Sequence, residues 1–260
     1  MPADRVAPGS LEREALERRL AELEAGAARL QLESAQRDHF LATLAHELRA
    51  PLNAIFGWIT LLRAGRLDAP TQERALAIIE RSARAQKRLL EDALEVSRIA
   101  TGTLTLELGV VDLQRVIEAA LETMLPAAEA RGVRLQSRSV AGAAMLRGDF
   151  ARLQQVVCNL LSNAIKFSDS GGEVEVSLES HGSFACIRVR DHGKGIGADV
   201  LSRVFERLRA EDDSSPQHAG LGIGLTIVRH LTQLHGGTVS AESEGEGRGA
   251  TFSVRLPLSS

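Results

Sequence analysis

Leucine and alanine recur at alternating spacings of four and three near the start of the chain: Leu16, Leu20, Leu23, Ala27, Leu30 and, after a polar break at Ser34 and Arg37, Leu41, Leu44 and Leu48. Charged residues fill most of the positions between them. Such a repeat is a heptad seam. It has to lie against another helix, so the spacing predicts a parallel coiled coil between two copies of the chain. The competing reading is a single amphipathic helix on its own core, but no neighbouring segment offers a cover. The seam continues without a glycine or proline through His46 to Pro51 and resumes as Ile55, Trp58 and Leu62. A proline inside a helix removes a hydrogen bond and bends the axis, which predicts a kink just after His46.

A polar turn at 63–70, containing Gly65, separates this helix from a second one over 71–99, with apolar positions Leu76, Ile79, Ala83, Leu90, Ala93 and Val96. Two long helices joined by a short turn form an antiparallel hairpin. One hairpin buries a single stripe. Two hairpins make a four-helix bundle, so a homodimer is expected.

Beyond Thr101–Thr103 short alternating runs at 104–111, 133–137, 173–178, 184–189 and 251–256 predict strands. Helical patterns lie at 113–130, 149–167, 199–206 and 221–234. This mixture predicts an α+β two-layer sandwich with helices on one sheet face. Three parts follow: a loose tail of about ten residues and coiled-coil helix over 1–37, the hairpin over 38–103, and the α+β domain over 104–260.

Composition narrows the function classes. A net charge of -3 gives no broad attraction to nucleic acid, and 3% aromatics without tyrosine leave no stacking platform for single strands. The two cysteines, Cys158 and Cys186, fall in apolar runs far apart and are expected as reduced thiols. No Cys/His cluster has zinc-ligand spacing. No stretch reaches the roughly 18 apolar residues of a spanning helix, so a cytoplasmic chain without a membrane segment is expected.

Four constellations carry chemistry. The first is Phe40-Leu-Ala-Thr-Leu-Ala-His46-Glu47-Leu48-Arg49-Ala50-Pro51. With Leu44 and Leu48 turned inward, His46 falls on the outer flank of the helix. A neutral imidazole nitrogen is a good nucleophile near pH 7, and Glu47 is placed to accept a proton from the ring. The second is Asn159-Leu-Leu-Ser-Asn163-Ala-Ile-Lys166, whose polar residues share one helix face. Amide oxygens suit Mg2+, and Lys166 suits phosphate. A solvated polar face is the plainer alternative.

The third is Asp191-His192-Gly193-Lys194-Gly195-Ile196-Gly197, directly after a strand. Its glycines let a ligand lie against the backbone, and Asp191 can accept from an amino group. The spacing is wrong for a dinucleotide fingerprint. The fourth is Gly220-Leu-Gly222-Ile-Gly224-Leu, which opens a helix and so forms a phosphate-binding N-terminus. The polar stretch 207–219 before it is expected to be a loop that closes over a nucleotide.

The order of these motifs, with Phe205-Glu206 between the last two, resembles the orthodox histidine kinases of two-component signalling over about residues 38–257. The resemblance implies a dimerisation and histidine-phosphotransfer hairpin followed by a catalytic ATP-binding domain of the Bergerat type shared with gyrase. It implies that His46 is the phosphoacceptor and Glu47 its acid-base neighbour. Asn163 would be the Mg2+ ligand, with Asn159 and Lys166 near the phosphates of ATP. Asp191 would read the adenine amino group, with Gly193 and Gly195 shaping the pocket. Gly220, Gly222 and Gly224 would form the lid hinge, and Arg209 would reach the γ-phosphate. The implied partner is the receiver domain of a response regulator, whose aspartate takes the phosphoryl group.

Three positions depart from the family pattern. Ala50 stands where phosphatase-competent members carry Thr or Asn, which puts phosphatase activity in doubt. His192 replaces a frequent Asn, and Leu208 a frequent aromatic. His39 shares the face of His46 but lacks the following acid and the proline. His181, His218, His230 and His235 show no partner pattern and are expected to be structural or solvated. The rival readings are a dimeric nucleotide-binding scaffold that transfers nothing, and an ATPase or serine kinase sharing only the nucleotide fold. Intact His46, Asn163 and Asp191 argue against the first, and the His-bearing hairpin against the second.

Overall fold

The computed structural model describes residues 8–139, 144–205 and 223–258. Helix α1 runs over Pro8–Arg63 and α2 over Ala69–Ala100. The two pack against each other as a hairpin. Helix α1 starts three residues inside the stretch expected to be a loose tail. Pro8 suits that start, because the first helical N–H has no partner in any case. Pro51 lies within α1 without ending it. Asp68 caps α2, its side chain accepting from the Thr71 N–H at 3.2 Å, and Pro70 sits in the first turn.

The remaining chain builds a second layered unit. Its elements are β1 (Gly109–Asp112), α3 (Leu113–Arg131), β2 (Arg134–Ser139), β3 (Met145–Gly148), α4 (Phe150–Phe167), β4 (Glu173–His181), β5 (Phe184–Asp191), α5 (Ala198–Leu201), α6 (Ile223–Leu234), β6 (Thr238–Glu242) and β7 (Ala250–Pro257). Five strands form one sheet in the order β2-β4-β5-β7-β6. Among the described residues the β2–β4 pair alone is parallel. Strands β1 and β3 form a separate antiparallel ribbon.

Helices α3, α4 and α6 pack side by side and onto the sheet. The period-2 pattern supplies the buried face. Ala185, Ile187 and Val189 on β5 lie opposite Leu256, Val254 and Phe252 on β7, and all are buried. Val156, Val157, Leu160 and Leu161 of α4 belong to the same core. The expected α+β two-layer sandwich is therefore the architecture of this unit.

Several elements differ from the sequence reading. The run 104–111 is strand only over Gly109–Asp112, because its partner β3 is itself four residues long. Strands β3 and β6 carried no expectation. Strand β6, Thr-Val-Ser-Ala-Glu, is an edge strand with no buried residue, so little apolar pattern marks it. The helix expected over 199–206 shortens to α5, and the chain then turns through Phe205. Both cysteines are free and half-buried. No helix among the described residues is long and apolar enough to cross a membrane.

Candidate active site

Helix α4 is the spine of the site. Asp149 caps its N-terminus, one carboxylate oxygen accepting from the Arg152 N–H at 3.2 Å and the other from the Glu107 N–H at 3.0 Å. The Asp149 N–H donates to Nε2 of the buried His235 at 3.0 Å, and His235 Nδ1 lies 2.8 Å from the Leu231 carbonyl. The start of α4 is thereby tied to the end of α6. At the other end Arg131 donates to the carbonyls of Ile165 and Lys166. Held at both ends, the helix turns its apolar stripe inward. Its other face carries Arg152, Gln155, Asn159, Asn163 and Lys166.

Asn159 sends a long hydrogen bond, 3.4 Å, from Nδ2 to the carbonyl of Gly224. Gly224 lies in the first turn of α6, so the expected loop-to-helix transition is already helical there. Asn163 is half-buried on the same face. Burial pulls the Lys166 ammonium below its ordinary pKa, and Arg131 adds to this, while the Glu47 carboxylate opposes it. Lys166 Nζ sits 5.0 Å from the centre of the Phe167 ring.

The second wall begins where β5 ends. Asp191 is 4% exposed and accepts from the Gly193 N–H at 3.0 Å. Burial pushes its carboxyl pKa up, against the stabilising N–H groups of Gly193 and Ala250. Gly193 lies against the Phe167 carbonyl, at the C-terminus of α4, where a Cβ would collide with the oxygen. The Lys194 N–H donates to that same carbonyl at 3.1 Å. Glycine here lets the β5 loop press onto the helix that carries the polar face.

Gly195, at φ +67°, packs in the same way against the Gly245 carbonyl. A further glycine loop, Gly245, Gly247 and Gly249, interlocks with the first. The Gly247 N–H donates to the Lys194 carbonyl at 2.7 Å and the Gly249 N–H to that of Gly193 at 3.1 Å. Gly249, at φ +70°, abuts the Asp191 carbonyl. The four sequence constellations do not include this loop. Its signal was present, as alternating glycines directly before a strand.

On α1, His46 is exposed and Glu47 half-buried. The structure thus brings Asn159, Asn163, Lys166, Asp191, Gly193, Gly195 and Gly224 around the C-terminal half of α4, and it brings Glu47 within electrostatic reach of Lys166. Arg209, Gly220 and Gly222, together with the expected closing loop, lie outside the described residues. His39 and His181 have no described side chains, and His218 is not described. His230 is half-buried, and His235 is the structural tie described above.

A two-layer domain with a buried acid and glycine walls beside a polar helix follows a long hairpin with an exposed imidazole, and two family models match these two units in turn. Residues 36–102 match the family model of the His Kinase A (phospho-acceptor) domain, and residues 148–260 that of the histidine kinase-, DNA gyrase B- and HSP90-like ATPase. The chain belongs to the sensor histidine kinases of two-component systems.

Among curated relatives it is 36% identical to hybrid signal transduction histidine kinase D of Dictyostelium discoideum, an alignment covering 85% of this chain and 17% of that protein. It is also 36% identical to histidine protein kinase DivJ of Caulobacter vibrioides, over 86% of this chain and 38% of that one. The chain therefore spans well under half the length of these relatives. Among solved structures, full-length ShkA in complex with AMPPNP superposes with a TM-score of 0.63 at 30% identity, over 85% of this chain and 46% of that one.

Proposed function

We propose that this chain is a kinase core that transfers the γ-phosphoryl group of ATP to His46 and then to an aspartate of a response-regulator receiver domain. The observation that carries the reading is that the polar face of α4, whose C-terminal end adjoins the Gly193 loop, brings Lys166 within electrostatic reach of Glu47, the neighbour of the exposed His46. In the first step an imidazole nitrogen attacks the γ-phosphorus. The N–P bond forms, the bond to the bridging β,γ-oxygen breaks, and ADP leaves. Glu47 accepts the proton from the other ring nitrogen. In the second step a carboxylate oxygen of the regulator displaces the imidazole.

Asp191 accepts a hydrogen bond from the adenine amino group, and Lys166 and the N-terminus of α6 attract the phosphates. Arg209 and the Gly220–Gly222–Gly224 hinge belong to the phosphate side in the same reading. Among the described residues no group of three or more His, Cys, Asp or Glu is arranged to hold a metal. A half-buried amide such as Asn163 suits Mg2+, which takes its other ligands from phosphates and water. When bound, Mg2+ neutralises phosphate charge. Catalysis is otherwise a matter of positioning.

The domain limits we adopt are 1–37, 38–103 and 104–260, with ATP chemistry in the cytoplasm. Homodimerisation through an N-terminal coiled coil is supported by Leu20 and Leu23 of its seam, and through a four-helix bundle by Leu52, Phe56 and Ile59, which share one face of α1, and by Leu76, Leu90 and Leu94 on α2. All eight are exposed in the single chain. The test is incubation with γ-labelled ATP and Mg2+. The wild type should carry acid-labile, base-stable label that His46→Ala abolishes. Acid-stable label, or label persisting in the variant, contradicts the assignment.

A further inference from the structure

The face of α4 that carries Asn159, Asn163 and Lys166 continues toward the helix N-terminus as Arg152 and Gln155. Those two residues meet the hairpin of the same chain. Arg152 Nη1 donates to Glu95 on α2 at 2.6 Å, Gln155 Nε2 donates to the other Glu95 oxygen, and Arg152 also reaches the Gln155 amide oxygen at 3.0 Å. Glu95 is 7% exposed and the Arg152 side chain 28%, so the carboxylate side of the clamp is desolvated and the guanidinium side half-open to solvent.

Around it Leu89, Val96 and Ile99 of α2 pack against the core of the catalytic domain, and so does Leu44 of α1, two residues before His46. The far end of α4 comes within electrostatic reach of Glu47. The spacing is consistent. Arg152 and Lys166 are roughly 21 Å apart along α4 at 1.5 Å per residue. Glu95 lies about ten residues, roughly 15 Å, farther from the hairpin turn than Glu47 does. Helix α4 is therefore tied to its own hairpin at two levels, at Glu95 through Arg152 and Gln155 and near His46 through the reach of Lys166 to Glu47, while α6 packs on α2.

Resting on the kinase reading above, we infer that the Glu95–Arg152–Gln155 clamp seats the catalytic domain on the hairpin of its own chain and directs phosphoryl transfer in cis. Glu95 is a positioning residue: it touches neither nucleotide nor imidazole and acts through the placement of α4.

Mixed dimers of differently tagged chains test this. A dimer of one His46→Ala chain and one Asn163→Ala chain has no chain with both parts and should stay unlabelled by γ-labelled ATP. A dimer of wild type with a doubly substituted chain should be labelled on the wild-type chain. Label on the Asn163→Ala chain of the first dimer overturns the inference. Glu95→Arg should slow labelling at least tenfold at unchanged nucleotide affinity, and adding Arg152→Glu should restore most of the rate. A wild-type rate in Glu95→Arg overturns it as well. An unlabelled wild-type homodimer overturns the kinase reading itself, and this inference with it.

Discussion

Asp191 shows how one residue can be chemically ready and structurally expensive at once. Its carboxylate is buried at the end of β5, held by the Gly193 N–H, and its pKa is raised by lost hydration. A ligand amino group offers a donor in a place water scarcely reaches. A hydrogen bond to a charged group is worth about 1.5–3 kcal/mol. Asp191→Asn should then weaken nucleotide binding about 10- to 100-fold in calorimetric titration, with the fold intact by circular dichroism. Unchanged affinity would remove Asp191 from the site. The sequence made this residue legible because an acid at a strand end followed by alternating glycines is a local pattern. It could not reveal why glycine is required at 193 and 249. Those reasons are carbonyls of Phe167 and Asp191, contacts that exist only after the chain has folded.

At the scale of the element, α2 carries an acidic cluster whose behaviour depends on burial. Asp92 is pushed up to about 6, first by burial and then by Glu95 and Glu91, with Arg88 opposing. A carboxyl whose pKa is higher folded than unfolded holds its proton more tightly in the native state. Its stabilising contribution is present at low pH and is lost as pH rises from about 4 to about 6. Asp92→Asn should therefore match the wild type in thermal stability near pH 4 and exceed it at pH 7.5. A constant difference across that range would contradict the account. The two hairpin helices were readable from their apolar spacing, and α4 from its strong two-faced pattern. The ribbon strand β3 and the edge strand β6 were not, because short strands with few buried residues take their conformation from neighbours rather than from their own composition. Glu95 escaped notice for a related reason. Nothing in the α2 sequence distinguishes it from Glu91 and Asp92 beside it, and only Arg152 and Gln155 give it a role.

At the scale of the molecule, two units that are stable for different reasons are brought into register. The hairpin leaves Phe56 and Leu94 exposed and calls for a partner chain, whereas the sandwich closes its own core. Between them, packing at Leu44, Leu89, Val96 and Ile99 and the Glu95 clamp set the approach of α4 to α1. The ordered motifs announced both units. Their mutual placement is a product of tertiary contacts that no motif encodes. The whole arrangement has one purpose in this account: to bring a terminal phosphate to His46. The most direct measurement is mass-spectrometric mapping of the phosphoryl group after brief incubation with ATP and Mg2+, kept at alkaline pH throughout. The modification should appear on the peptide containing His46, assigned by fragmentation to that residue and lost on acid treatment. A phosphoryl group on His39, on a serine or threonine, or on no residue at all would contradict it.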